Sequence, residues 1–224
     1  MVAFVDIWTA WTAGFMMIFM VMPLGLCLEW RKRGSSDGFS SFGFMIILLM
    51  MACWLKYGLL RDDAFNIYLN SFCLCIVTFV MSVFAYYQSD RSNIRNQLLI
   101  TIASYAAIHY YIKGLKGDGQ IESMGQIATA VQTLSLSGII YDIYRVLVIL
   151  KTTEYMPAFM TFGGTIIGIN FFILGHLTDD VYMALSNIPG LLVNAVVFAL
   201  YYAYPPRTWV VPIIGTGKNT EKHE

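Results

Sequence analysis

Apolar residues run through this chain in long blocks separated by short polar breaks, and the block lengths predict its elements. A helix rises about 1.5 Å per residue, so roughly 17–25 mostly apolar residues cross a bilayer core. Seven blocks come close to that length or exceed it. They predict helices near Ile7–Leu28, Phe39–Leu60, Phe65–Tyr87, Gln97–Ile112, Ser123–Leu150, Met156–Leu177 and Val181–Tyr204, of which the fourth is the shortest. The first lacks a basic leader and a small-residue cleavage site, so it is expected to be a retained span and not a cleaved signal. Loops of a few residues leave no room for a soluble domain, so any function must be performed inside the bundle.

The blocks also repeat. GLLRDDAFNIYLN, from Gly58 to Asn70, returns as GHLTDDVYMALSN, from Gly175 to Asn187, with five identical positions and a constant offset of 117 (175 less 58). Each copy leaves one apolar run, crosses an acidic turn (Asp62-Asp63, then Asp179-Asp180) and enters another run that soon reaches an asparagine. A membrane protein built from two copies of one unit places its working site where the copies meet. Asn70 and Asn187 are therefore the leading candidates. A lone asparagine in a membrane helix is more often interhelical glue; a matched pair at the repeat offset favours a substrate site.

Composition agrees with a membrane protein. The chain is 58% hydrophobic and 12% charged, against about 25% charged for an average soluble domain. Its mean hydropathy is positive. Net charge is zero, so nothing points to nucleic acid as a partner. Cys27, Cys53, Cys73 and Cys75 all lie inside apolar runs and read as small buried hydrophobes. No CxxC or Cys/His cluster suggests a metal or another cofactor.

Charge sets the expected orientation, because Lys and Arg concentrate on the cytoplasmic side. Arg31, Lys32, Arg33, Arg91, Arg95, Arg145, Lys151, Arg207, Lys218 and Lys222 fall toward one side, against Lys56, Arg61, Lys113 and Lys116 on the other. The N-terminus is then extracellular or lumenal and the C-terminus cytoplasmic. Three helices that start outside end inside, so a second parallel copy needs one extra crossing, which the fourth helix supplies. The expected fold is an all-α membrane protein of seven transmembrane helices, two parallel three-helix bundles joined by one linker helix. The expected boundaries are 1–88 for the first repeat, 89–120 for the linker, 121–206 for the second repeat and 207–224 for the tail. That tail is expected to be disordered from about Gly215 onward.

The first half also carries Pro23, RKRGSSDGFS (Arg31–Ser40) and WLKYG (Trp54–Gly58), and the second carries KTTEYMP (Lys151–Pro157), SNIPG (Ser186–Gly190) and YYAYPP (Tyr201–Pro206). In order and spacing, from about Pro23 to Pro206, these motifs resemble the SWEET (MtN3/saliva) sugar transporters, and the animal members more than the plant ones. The resemblance implies a bidirectional facilitator of mono- or disaccharides that works by alternating access. It implies a central cage of Asn70 and Asn187 with Trp54 and Phe171, an outer gate resembling Tyr57 and Asp180, and inner-gate prolines of which Pro23 and Pro157 match two. Gly43 and Ile140 stand where that pattern expects the other two, and the second repeat reads FILG instead of WxxYG.

The chemistry of these residues suits a sugar. An amide donates and accepts as a hydroxyl does, and aromatic rings pack against the C–H faces of a pyranose. The large flanking side chains hint at a monosaccharide. Asp62, Asp63 and Asp179 read as turn residues and helix caps. His109 reads as a hydrogen-bonding residue between helices, and Asp142 with Arg145 as an ion pair on one helical face. Gln132, Ser135 and Ser137 either line a cavity or pack against neighbours. Helices one, two, three, six and seven hold no ionisable group near mid-membrane, which favours uniport over proton coupling.

Other classes fit less well. An amino- or organic-acid carrier would need a pathway charge, a receptor or interaction protein would use long loops, and an intramembrane enzyme would need a Ser/His, paired-Asp or HExxH constellation. No GxxxxGK[ST] loop offers an energy source. The expected partners are a small neutral sugar such as glucose and the lipid bilayer, with a homo-oligomer left open and the membrane either plasma membrane or Golgi.

Overall fold

The computed structural model describes residues 2–217, with side chains from Phe4 onward. Among them every regular element is helical: α1 (Val2–Val21), α2 (Leu24–Arg33), α3 (Phe42–Arg61), α4 (Ala64–Tyr87), α5 (Ser92–Gly114), α6 (Asp118–Ser135), α7 (Ser137–Arg145) continued by a π-helical turn (Val146–Leu150), α8 (Ala158–Leu177) and α9 (Val181–Ala203). Two expected helices are each interrupted. The first breaks at Pro23, which has no N–H for the helical ladder, and the fifth breaks at Leu136. Six helical stretches are long and apolar enough to cross a membrane, and α5 is not among them. It is longer than expected from the sequence, but Asn93, Arg95, Asn96, Gln97, His109 and Lys113 dilute its apolar run.

The packing divides the chain into two units, one up to Ser135 and one from Leu136. In the first, α3 is central, packed on α4, α5 and α6, while α4 also packs on α1 and α2. Its core gathers Cys27, Trp30, Met45, Val77, Val80, Met81, Phe84 and Ile94. Trp30 stands edge-on to Phe39, Phe44 and Phe84, with ring centroids 5.1–6.3 Å away. In the second unit α8 and α9 pair and α7 packs on α9, around Val146, Met156, Val197, Leu200, Tyr201 and Val211. Ile18, Tyr68, Ile100, Leu192 and many other large apolar residues face outward, as they do where the surrounding solvent is lipid.

The repeat extends beyond the matched sequence into the loops that precede α3 and α8. Gly34 and Lys151 are both left-handed, at φ 72° and 52°, as are Asp62 and Asp179, at 56° and 51°. Two residues on, the Ser36 N–H donates to the Tyr87 carbonyl (3.1 Å) and the Thr153 N–H to that of Tyr204 (2.9 Å). Next come two carboxylates with the same task. Asp37 accepts from Ser89 and Gln88, and Glu154 accepts from the Thr208 hydroxyl and the Arg207 and Thr208 N–H groups. Hydrogen bonds from Ser89 and Thr208, in turn, hold the two carboxyls below the usual carboxylate range.

Three expectations change. The tail is seated through Gly217 instead of loosening at Gly215. Val211 is fully buried, the Trp209 ring N–H donates to the Glu154 carbonyl (3.1 Å), and the Thr216 hydroxyl donates to the Tyr201 carbonyl (2.8 Å). The remaining tail, with Lys218 and Lys222, lies outside the described residues. Cys75 is exposed, unlike the other three cysteines, because it lies on the outward face of α4. His109 also faces outward, beside Tyr105 on its own helix, and not between helices. The Asp142–Arg145 ion pair forms as expected, at 3.6 Å.

Candidate functional site

Each unit carries its own candidate residues on the helical hairpin built around its acidic turn. In the first, Asp62 ends α3 in the left-handed conformation and Asp63 caps α4, accepting from the Asn66 N–H at 3.2 Å. In the second, Asp179 is left-handed and the buried Asp180 caps α9, accepting from the Met183 N–H at 2.9 Å. The two hairpins close on a glycine, whose lack of a Cβ permits close backbone approach. A Cβ on Gly58 would lie 2.9 Å from the Asn66 Cβ, and one on Gly175 would lie 2.5 Å from the Ala184 nitrogen.

One turn deeper stand the asparagines, in the same attitude. The Asn70 amide donates to the Asn66 carbonyl at 2.9 Å, and the Asn187 amide to the Met183 carbonyl at 2.7 Å. Each side chain turns its NH2 group back onto its own helix. For Asn70 this leaves Oδ1 accepting no hydrogen bond among the described residues, while Nδ2 also reaches Asn66 Oδ1 (3.3 Å). Asn70 is 7% exposed and Asn187 is half-buried. The Asn70 amide, held this way, offers its oxygen first to an incoming hydroxyl donor.

The flanking residues differ between the units. Trp54 is buried on α3 and its ring N–H donates to Gln132 Oε1 on α6 at 2.7 Å. Its ring stands edge-on to that of Tyr57, with centroids 5.4 Å apart. Tyr57 is fully buried and its hydroxyl accepts from Arg61 at 3.2 Å. In the second unit Phe171 is half-buried on α8, and the fully buried Leu174 occupies the position of Tyr57.

Of the gate candidates, Pro23 sits in the break between α1 and α2. Pro157 is the N-cap of α8 in an extended conformation, where no helical hydrogen bond is lost. The structure therefore groups Trp54, Tyr57 and Asn70 in the first unit, and Phe171, Asp180 and Asn187 in the second.

Several polar residues escaped the sequence reading. Asn66 links the acidic turn to Asn70, donating to Asp63 Oδ2 at 2.7 Å, but its repeat counterpart is Met183, so the repeat offers no signal for it. Asn170 and Asn194 are buried in the second unit, where the offset of 117 leads back to Cys53 and Val77. Pro189 lies inside α9, two residues past Asn187. It was visible within SNIPG, and an unrepeated proline mid-helix is itself a signal of local helix loosening.

Comparison with known proteins bears on the same segments. Residues 9–92 and 123–209 match the sequence model of the MtN3/saliva family, described as a sugar efflux transporter for intercellular exchange. The chain is 26% identical to bidirectional sugar transporter SWEET10 of Arabidopsis thaliana, over 81% of its own length and 64% of that protein's. It is 27% identical to bidirectional sugar transporter NEC1 of Petunia hybrida, over 84% and 72%. A solved eukaryotic SWEET transporter matches its fold with a TM-score of 0.78, at 18% identity, over 90% of this chain and 98% of that one. A shared fold over nearly all of that structure, with both repeats matched, makes this an integral, multi-pass membrane protein of three-plus-one-plus-three helices and a member of the MtN3/saliva, or SWEET, family.

Proposed function

We propose that this protein is a facilitative sugar uniporter that moves a small neutral sugar in either direction by alternating access. The observation that carries the reading is the pair of asparagines, at one repeat offset and with their amides held alike, in a chain whose relatives are named bidirectional sugar transporters. Asn70 and Asn187 bind the hydroxyls, and Trp54 and Phe171 flank the ring. Tyr57 and Asp180 close the outer side, while Pro23 and Pro157 flex the inner side. Uncharged binding suits a carrier, because the cargo must leave as readily as it enters.

The finer assignments belong to the same proposal. The substrate is a monosaccharide such as glucose, and the working divisions are 1–88, 89–120, 121–206 and 207–224. The N-terminus faces the extracellular or lumenal side of a plasma or Golgi membrane. The experiment is uptake of radiolabelled glucose into proteoliposomes, with and without a proton gradient, by the native chain and by Asn187→Ala. Gradient-independent uptake that the substitution abolishes, with folding intact, supports the uniporter. No uptake of glucose or other common sugars by well-folded protein overturns it.

A further inference from the structure

Trp54 is held at two points that together fix its ring. An indole has a single donor and no acceptor, and a buried one seeks a partner. Here the N–H meets Gln132 Oε1 at 2.7 Å, while the ring is set edge-on against Tyr57 at an interplanar angle of 88°. Gln132 lies in the last turn of α6, and its own backbone carbonyl accepts from the Ser135 hydroxyl at 2.6 Å. One residue beyond Ser135 the helix breaks at Leu136.

The repeat register gives a second, independent observation. Moving Trp54 forward by 117 positions gives Phe171, and moving Gln132 back by 117 gives Phe15. The donor and its acceptor are thus both replaced by phenyl rings in the other register. Replacing both partners of a buried hydrogen bond by apolar groups is nearly neutral, whereas replacing one strands the other. The two positions change together, as they would if they worked as a pair.

We propose that Gln132 is the positioning residue for Trp54, setting the angle at which that ring meets the sugar and hence substrate affinity. The proposal rests on the reading of Trp54 as a sugar-flanking residue. Gln132 itself touches no sugar; it acts by holding the indole.

The test uses the full chain in proteoliposomes and nanodiscs, with Gln132→Met, Gln132→Glu, Trp54→Phe and the double variant Trp54→Phe/Gln132→Met. Loss of one neutral hydrogen bond corresponds to about a 2–10-fold change. Gln132→Met is expected to raise the KM for glucose by that factor with little change in maximal rate. Gln132→Glu, which keeps an acceptor oxygen, is expected to stay near the native value. The double variant is expected to behave as Trp54→Phe alone. In sugar-free nanodiscs the Trp54 indole N–H resonance, identified by its loss in Trp54→Phe, is expected to shift upfield in Gln132→Met.

An unmoved resonance overturns the proposal, and so do additive KM effects in the double variant. A native chain that carries no sugar removes the reading of the site. A shifted resonance with an unchanged KM, in a native chain that does transport, removes only the positioning role.

Discussion

A methyl group at Gly175 is the sharpest test of the hairpin geometry that presents Asn187. The added Cβ would lie 2.5 Å from the Ala184 nitrogen and 2.9 Å from both the Ala184 Cα and the Asp180 carbonyl oxygen. All three are backbone atoms of the first turn of α9, so no rotamer change relieves the clash. Reaching an ordinary 3.4 Å contact would part the helices by about 0.9 Å. Overpacking of this kind costs about 1–3 kcal/mol, and alanine's better helix propensity returns only about 0.5–1 kcal/mol. Gly58→Ala should cost less, because its nearest neighbour, the Asn66 Cβ, lies at 2.9 Å instead of 2.5 Å and backbone begins at 3.2 Å. Gly43→Ala meets nothing within 4 Å and should be neutral or mildly stabilising. Melting followed by fluorescence-detected gel filtration in mild detergent reads the order, with roughly 2–4 °C lost per kcal/mol. Gly175→Ala melting together with the native protein would refute the close approach, and with it the placement of Asn187.

Further outcomes follow from the candidate residues of each unit and from the loops that precede α3 and α8. Asn70→Ala and Asn187→Ala should each abolish saturable glucose uptake, while the melting temperature shifts only by what the loss of the amide's own hydrogen bonds allows; full activity in either would remove that residue from the site. Asp180→Ala should cost about 0.5–2 kcal/mol through the lost cap on α9, read as a lower melting temperature than for Asp179→Ala. The Asp37 and Glu154 carboxyls are held low by their hydrogen bonds when folded. Their contribution is therefore complete above the unfolded values near 4, and is lost as pH falls through the lower folded values. Asp37→Asn with Glu154→Gln should flatten the loss of stability from about pH 4 downward, and an unchanged acid slope would show that neither carboxylate matters there.

Helix spans, the number of crossings and the candidate asparagines were legible in the sequence because each leaves a local mark: a long apolar block, or a motif that recurs at a fixed offset. The breaks were less visible. Pro23 announces one, but Leu136 does not, since the α6–α7 break has no proline and its glycine, Gly138, comes two residues later. The seating of residues 205–217 was hidden for a different reason. It depends on Glu154, Thr152 and Thr153 lying at the end of α9, a long-range meeting that no composition predicts. Cys75 and His109 were misjudged because an apolar run shows only that a segment is in the membrane, and not which face looks inward.

What the repeat keeps and what it lets go point to different kinds of constraint. Left-handed turns, aspartate caps, close-packed glycines, amide attitudes and the loop-to-helix hydrogen bonds all recur at one offset. These are backbone devices that fix where a side chain starts. The side chains they present have diverged: Trp54 against Phe171, Tyr57 against Leu174, Cys53 against Asn170, Val77 against Asn194, and Gln132 against Phe15. The first unit therefore offers a tethered indole and a buried hydroxyl, and the second offers a phenyl ring and two buried asparagines. A sugar is itself asymmetric, with unlike faces and unlike hydroxyls. On the proposed function, these chemically different side chains would favour one orientation of the sugar, whereas identical ones would favour neither. Exchanging the two rings, with Trp54→Phe and Phe171→Trp in one chain, should therefore change which epimers compete for uptake more than it changes how much protein folds. Unaltered competition by galactose and mannose against glucose would refute the idea that the divergence of these side chains serves recognition.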